Sequence, residues 1–195
     1  RSDAKLRVSA EIADVSNLVV GEEIWGEQSR KRMFEMGNRM WHTDSSFRRL
    51  PAKASLLYAR SIPPVGGQTE CADMRAAYDA LTHEMKQHLR GLVAEHAIMY
   101  SRKKLGFTDF SDEEKQTLPP VPQALVRRHA GSGRMGLYLA SHAGRIFGMK
   151  EEEGQALLQQ LIDHATQRQF VYTHRWRVHD LVMWDNRCTM HRGKG

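Results

Sequence analysis

The alternation of apolar and polar residues predicts several short strands separated by turns. The first clear strand covers residues 54–62, and it ends at Pro63-Pro64 because proline cannot donate a backbone hydrogen bond to a neighbouring strand. Extended structure resumes at residues 68–72, after the turn signal Gly66-Gly67. Gly131-Ser132-Gly133 lies between two apolar segments and is typical of a β-hairpin. The same alternation predicts further strands at residues 92–99, 124–129, 135–140, 170–176 and 180–184.

Helical periodicity is confined to a few segments. Two short helices are predicted at residues 73–81 and 82–90. The capping-box pattern Ser111-Asp-Glu-Glu114 starts a third helix, and residues 151–167 form the clearest one. Many short strands with helical insertions predict a mainly β fold, a double-stranded β-helix (jelly roll), rather than a doubly wound α/β fold. We expect a single catalytic domain over residues 1–195.

The composition indicates an ordinary soluble globular protein. Apolar residues make up 41% of the chain and charged residues 27%, and no apolar run is long enough to cross a bilayer. The chain shows no signal-peptide pattern. Its two cysteines, Cys71 and Cys188, are expected to be free thiols in a reducing compartment. We therefore expect a cytoplasmic protein without a membrane partner.

The net charge of +6 is compatible with two kinds of partner, nucleic acid or a small anion. The basic residues form only short clusters, such as Arg30-Lys31-Arg32 and Arg102-Lys103-Lys104, and no basic stripe is interleaved with aromatic residues. This scatter favours a small anionic organic substrate over nucleic acid. The sequence leaves a homo-oligomer open.

Three residues far apart in the sequence are candidate metal ligands. In an extended segment, His42 and Asp44 lie two residues apart, so their side chains point the same way. A His-x-Asp pair is frequent by chance, but His191 follows a predicted strand and supplies a second imidazole. Two histidines and one carboxylate form the facial triad of non-haem Fe(II) oxygenases, which leaves positions open for substrate and oxygen. Zinc hydrolases use similar ligands, so the ligand types alone leave the metal undecided.

Several motifs resemble the taurine / 2,4-dichlorophenoxyacetate dioxygenase family, and the similarity runs from Asn38 onward. Segments 72–81 and 164–170 are more similar to the aryloxyacetate branch than to the taurine branch. The motifs that carry the resemblance are Trp41-His-Thr-Asp44, Gly66-Gly-Gln-Thr69, Asp73-Met-Arg-Ala-Ala-Tyr-Asp79, Trp184-Asp-Asn-Arg187 and His191-Arg-Gly193.

The resemblance implies a role for each matching residue. His42, Asp44 and His191 would bind Fe(II), and Thr69 would donate a hydrogen bond to a carboxylate of the cosubstrate 2-oxoglutarate. Asn38 would line the substrate pocket, with a plain loop residue as the alternative. The tryptophans of the two ligand motifs either pack around the metal or belong to the core. Arg187 is expected to stabilise the turn before His191 rather than to bind substrate.

The resemblance also implies an activity. Such an enzyme uses O2 to hydroxylate an aryloxyacetate such as 2,4-dichlorophenoxyacetate, giving a phenol, glyoxylate, succinate and CO2. One alternative is a dioxygenase of the same family acting on taurine or another small sulfonate or carboxylate. A zinc hydrolase and a metal-free anion-binding β protein are further alternatives.

The family also uses an arginine about one strand beyond the second histidine, where a planar guanidinium pairs with 2-oxoglutarate. The sequence ends at Gly195, before that position. We therefore expect a fragment that lacks the N-terminal strands and the C-terminal strand with this arginine.

Overall fold

The structure is a computed structural model that describes Val15 and residues 36–194. Apart from Val15, residues 1–35 lie outside the described residues, and these include the basic cluster Arg30-Lys31-Arg32. The described part contains ten β-strands, namely β1 Ala54–Tyr58, β2 Thr69–Asp73, β3 Val93–His96, β4 Val121–Ala124, β5 Val126–Arg128, β6 Met135–Leu137, β7 Ala143–Ile146, β8 Val171–His174, β9 Leu181–Asp185 and β10 Thr189–Gly193.

Short helices are inserted between these strands, as the periodicity predicts. The described part has two 3-10 segments, Met36–Arg39 and Arg168–Phe170, and five α-helices, α1 Met74–Asp79, α2 His83–His88, α3 Ile98–Lys103, α4 Asp112–Thr117 and α5 Glu151–Ala165. The capping box is present at α4, where Ser111 and Glu114 exchange hydrogen bonds. None of the described helices has the length and apolarity that a membrane span requires. The secondary structure of the described part is thus mainly β with helical insertions.

The strands pair in four antiparallel groups within residues 36–194. β1 pairs with β9, and β5 pairs with β6 as the predicted hairpin. The two larger groups have three strands each, in the orders β10-β2-β8 and β4-β3-β7. Both cysteines are free thiols.

The sheet β10-β2-β8 separates the core from the candidate site. Met190 and Ala72 are directly opposed in this sheet, and both side chains are fully buried. Successive residues of a strand alternate between faces, so the next opposed pair, His191 and Cys71, points to the other side. The core face therefore fixes the direction of His191.

Helix α5 covers the core along its predicted apolar stripe. It buries Leu157, Leu158 and Leu161, and it packs against β7. Each buried leucine contributes roughly 1.5–3 kcal/mol relative to its exposed state. Three glutamates in its first turn are favourably placed next to the positive end of the helix dipole.

Two of the strand predictions are wrong in part, and the strand β7 was not predicted. The predicted strand 92–99 ends at His96, because the backbone N–H of Ala97 donates to the carbonyl of His142 and the chain then enters α3. The predicted strand 124–129 is interrupted at Leu125, which is fully buried between β4 and β5. The pattern also failed to predict β7, whose glycine and arginine obscure the apolar alternation.

Candidate metal centre

The backbones of His42 and His191 are paired directly. The N–H of His42 donates to the carbonyl of His191 at 2.9 Å, and the N–H of His191 donates to the carbonyl of His42 at 2.8 Å. Opposed residues of an antiparallel pair point to the same face. The ring centroids accordingly lie 4.2 Å apart.

Asp44 joins this pair, so the three predicted ligands converge. One carboxylate oxygen, Oδ1, lies 3.5 Å from Nε2 of His42, and the other, Oδ2, lies 3.6 Å from Nε2 of His191. One donor atom of each residue lies within 4.8 Å of the other two, close enough for one ion to contact all three. Both histidines are buried, and the Asp44 side chain is one-third exposed.

Thr43 lies between two of these residues and points the opposite way. Its hydroxyl donates to the carbonyl of Leu139 at 2.9 Å, and its side chain is fully buried. The carbonyl of Trp41 accepts a hydrogen bond from the N–H of Ser141 at 2.8 Å. These contacts anchor the segment on its core side and leave His42 and Asp44 on the site side.

The surroundings of the two imidazoles suit metal coordination. Nδ1 of His42 lies 2.7 Å from the carbonyl oxygen of Met40, which can only accept, so in the neutral ring Nδ1 carries the proton and Nε2 presents a lone pair. Burial and the neighbouring His42 outweigh Asp44 and lower the pKa of His191 to about 3. A neutral imidazole can therefore coordinate at neutral pH.

Asp44 supplies the negative charge. Burial opposes its ionisation, but the two neighbouring imidazoles and the hydrogen bond from the hydroxyl of Ser55 together hold its pKa well below the usual range. Two neutral imidazoles and one carboxylate suit Fe(II) or Zn(II), and all three approach from one side. The described residues thus fit a metal ion with open coordination positions.

The structure corrects the predicted location of His191. The sequence places this residue beyond the end of a strand, but it lies in the middle of β10, which pairs with β2. Polar residues on both sides of Met190 hide the strand alternation. Asp185 and Arg187 form the preceding turn, with Nε of Arg187 donating to Oδ1 of Asp185 at 2.8 Å. This pairing agrees with the structural role expected for Arg187.

The two motif tryptophans have different surroundings. The Trp184 ring lies against His191, with centroids 4.6 Å apart, and so borders the candidate site. Trp41 is buried in the core, and its ring is covered by the guanidinium of Arg192 at 4.6 Å. Trp184 therefore packs beside the candidate metal site, whereas Trp41 belongs to the core.

Thr69 lies on the same sheet as His191, at the start of β2. It opposes Gly193, two residues along β10 from His191, so its side chain shares the face of His191. Its hydroxyl is buried and accepts a hydrogen bond from the indole N–H of Trp176 at 3.0 Å. The hydroxyl proton is therefore available to a further acceptor.

Asn38 lies in the 3-10 segment Met36–Arg39, which contacts β10. A Cβ atom placed on Gly193 would lie 3.7 Å from the carbonyl oxygen of Asn38. The residue thus lies near the strand that carries His191. Its side chain is partly buried.

The sequence did not predict that two further residues, Ser55 and Asn186, lie beside the candidate ligand Asp44. Ser55, on β1, donates its hydroxyl proton to Oδ2 of Asp44 at 2.6 Å. Asn186 is 1% exposed and donates from its side-chain amide to Ser55 at 2.8 Å. A lone serine in a strand carries no sequence signal. Asn186 belongs to the motif Trp184-Asp-Asn-Arg187, but the sequence gives a structural role only to Arg187 of that motif.

A second cluster, His129, Asp185 and Cys188, also brings three donor atoms within 4.8 Å of one another. Its carboxylate already accepts from Arg187 and is bonded to His129 at 3.1 Å. Burial raises the pKa of the Cys188 thiol, which disfavours the thiolate that a metal needs. This cluster is therefore better explained as support for the turn between β9 and β10.

Comparisons with known proteins agree with this geometry. The chain is 49% identical over 185 residues to the alpha-ketoglutarate-dependent 2,4-dichlorophenoxyacetate dioxygenase of Cupriavidus pinatubonensis, covering 95% of this chain and 64% of that protein. The crystal structure of AAD-2 in complex with Mn(II) and N-oxalylglycine superposes with a TM-score of 0.93 at 56% identity, covering 95% of this chain and 64% of that one. The chain thus spans less than two thirds of the length of these relatives.

A taurine dioxygenase from Burkholderia xenovorans is less similar, with a TM-score of 0.68 and 30% identity over 82% of this chain and 51% of that one. These values favour the predicted aryloxyacetate branch over the taurine branch. Residues 6–195 match the sequence model of a protein family, which is described as "Taurine catabolism dioxygenase TauD, TfdA family". The chain therefore belongs to the TauD/TfdA dioxygenase family.

Proposed function

We propose that the protein is the catalytic part of an Fe(II)- and 2-oxoglutarate-dependent dioxygenase that hydroxylates an aryloxyacetate such as 2,4-dichlorophenoxyacetate. The observation that carries this proposal is the convergence of His42, Asp44 and His191 in a chain 49% identical to a 2,4-dichlorophenoxyacetate dioxygenase. Hydroxylation next to the ether oxygen gives a hemiacetal, which collapses to a phenol and glyoxylate.

The three side chains would hold the ion and leave the rest of its coordination sphere open. Oxidation of the substrate C–H bond by O2, with 2-oxoglutarate converted to succinate and CO2, is the chemistry that a bound ferrous ion supplies. Thr69 would donate the hydroxyl proton that Trp176 leaves free to a carboxylate of 2-oxoglutarate. The Trp184 ring excludes water from one side of His191.

The rest of the fold and pocket follows from the same proposal. The antiparallel sheets described above form part of a double-stranded β-helix in a single catalytic domain, a proposal supported by the TM-score of 0.93 with AAD-2. We propose that Asn38 lines the substrate pocket, and that the arginine pairing with 2-oxoglutarate lies on a strand beyond Gly195 of the full-length protein. The two free thiols support a cytoplasmic location.

The test is a substrate panel on the full-length protein with Fe(II), ascorbate and 2-oxoglutarate. We expect 2,4-dichlorophenoxyacetate to stimulate succinate release and to yield the matching phenol. Stimulation by taurine alone would move the protein to the sulfonate branch. Turnover without O2 and 2-oxoglutarate would instead support a zinc hydrolase and refute the proposal.

Substitution of a ligand completes this test. His42→Ala should remove stoichiometric Fe(II) binding, whereas His83→Ala, at an exposed position of α2, should leave binding intact. A protein that binds its substrate anion equally well after His42→Ala would be a metal-free binding protein.

A further inference from the structure

We propose that Ser55 and Asn186 are positioning residues that hold the Asp44 carboxylate so that only one of its oxygens is available to the metal. The inference rests on the metal-binding part of the proposed function. It assigns a role to two residues that do not touch the ion.

A chain of three hydrogen bonds ends at Asp44. The indole N–H of Trp184 donates to Oδ1 of Asn186 at 3.0 Å, and Nδ2 of Asn186 donates to the hydroxyl of Ser55 at 2.8 Å. The Ser55 hydroxyl then donates to Oδ2 of Asp44 at 2.6 Å. The last contact is short, as expected when the acceptor is ionised.

The direction of this chain is fixed by its first member. An indole N–H can only donate, so the atom of Asn186 that faces Trp184 must be the carbonyl oxygen. The amide nitrogen of Asn186 therefore faces Ser55, and the one hydroxyl proton of Ser55 is left for Asp44. No alternative assignment of the side-chain amide satisfies all three contacts.

The backbone keeps these side chains in place. Ser55 and Trp184 are directly opposed in the pair β1-β9, and the N–H of Asn186 donates to the carbonyl of Lys53 at 3.0 Å. Asn186 is 1% exposed, so water does not compete for its amide. These backbone contacts and this burial hold the hydrogen-bonded side chains in fixed positions, as a positioning role requires.

The consequence concerns how Asp44 would bind a metal. With Oδ2 engaged by Ser55, Oδ1 is the oxygen left free for the ion. Without this hydroxyl the carboxylate can offer both oxygens and occupy a coordination position that 2-oxoglutarate and O2 need. Trp184 also contacts the ring of His191, so a single buried asparagine links two of the three ligands.

The experiment measures Co(II) binding to the full-length protein, by titration and by visible absorption of the bound ion. Ser55→Ala should weaken Co(II) binding about 10-fold, within the range seen when such outer partners of metal ligands are lost. It should also change the Co(II) spectrum, because the number of oxygen ligands changes. Ser55→Thr keeps the hydroxyl and should restore both properties.

Asn186→Asp tests the direction of the chain at almost unchanged volume. A carboxylate at this position accepts from both Trp184 and Ser55, so it draws the Ser55 proton away from Asp44 and should weaken Co(II) binding. Ser46→Ala is the matched control. It removes a buried hydroxyl two residues from Asp44 that has no hydrogen-bond partner among the described residues, and it should leave the spectrum unchanged.

The outcomes separate this inference from the proposed activity. Unchanged Co(II) affinity and spectrum in Ser55→Ala, with an unchanged melting temperature of the metal-free protein, would overturn the inference. If the wild type binds Co(II) but no substrate stimulates succinate release, the proposed activity fails while the Co(II) measurements still decide the role of Ser55. A wild type that does not bind Co(II) would refute both.

Discussion

His42 and His191 exchange two backbone hydrogen bonds, so the distance between their imidazoles is set by main-chain pairing. A loop-borne ligand would depend on the conformation of its own segment. Here the pairing of β10 with β2, and the anchoring of the His42 segment by Thr43, fix both rings before any ion binds. The candidate centre is therefore preorganised, which lowers the entropic cost of metal binding.

Thr43→Val should destabilise the protein without removing a ligand. The hydroxyl of Thr43 donates to the carbonyl of Leu139 in a fully buried setting, and valine would leave that acceptor unsatisfied. We expect a loss of about 1–3 kcal/mol in the free energy of unfolding, measured by urea denaturation. Thr117→Val, at an exposed position of α4, is the control, and an equal loss there would contradict this explanation.

Thr69→Val should weaken 2-oxoglutarate binding while Co(II) binding persists. The substitution removes a hydroxyl that shares the face of His191, and a hydrogen bond to a charged group contributes about 1.5–3 kcal/mol. The dissociation constant of 2-oxoglutarate should therefore rise at least about 10-fold, measured by calorimetry with the Co(II)-loaded, full-length protein.

Thr173→Val is the matched control for this measurement. Thr173 lies on the adjacent strand β8 with an exposed side chain, and its loss should leave the dissociation constant unchanged. A normal 2-oxoglutarate affinity in Thr69→Val would show that this hydroxyl does not contact the cosubstrate.

Acid should destabilise the protein through His96. This residue is fully buried against Tyr138, and burial together with the charge of Arg127 lowers its pKa to about 3. Below pH 6.5 the unfolded chain takes up a proton that the folded protein excludes, so stability falls as the pH drops from 6.5 towards 3. By linkage, His96 alone accounts for a loss of about 2 kcal/mol at pH 5.

His96→Phe keeps an aromatic ring beside Tyr138 and removes this proton uptake. Urea denaturation of the variant at pH 5 and pH 7 should therefore show a smaller difference in stability than the wild type shows. His83→Gln, at an exposed position, serves as the control. An identical difference in His96→Phe and wild type would assign the acid sensitivity to other groups.

Gly144→Ala should destabilise the sheet β4-β3-β7. A Cβ atom on Gly144 would lie 2.2 Å from the ring of Tyr100, whose hydroxyl is held by Glu95. We expect a loss of about 1–3 kcal/mol, as for other overpacked positions, seen as a lower melting temperature. In Gly131→Ala the added Cβ meets only a His129 side chain, at 3.1 Å, so a similar loss there would argue against steric crowding as the cause.

Much of the candidate site could be predicted because its residues lie in compact motifs. His42 and Asp44 are two residues apart, and strand periodicity alone places them on one face. His191 was predicted as a ligand from the motif His191-Arg-Gly193 and its resemblance to the dioxygenase family, but the strand β10 that carries it was not predicted. A strand buried on one face and bordering a polar site on the other lacks the alternation of an ordinary amphipathic strand.

Ser55 and Asn186 could not be predicted as partners of Asp44 for a different reason. Their contacts depend on the pairing of β1 with β9, which joins segments more than a hundred residues apart. Sequence patterns report the conformation of a segment, but they do not report which segments become neighbours. Helix α5 shows the contrast, because its burial follows from its own period and was predicted to within two residues.

The pairing of His42 with His191 also sets when a metal can be acquired. These residues belong to opposite ends of the described chain, and closing such a long loop costs entropy that only the finished sheet repays. A growing or partly unfolded polypeptide has the three donors but not their arrangement, so it has little means of capturing an ion. Loading with metal should therefore follow folding, and metal occupancy would report that the polypeptide has reached its native topology.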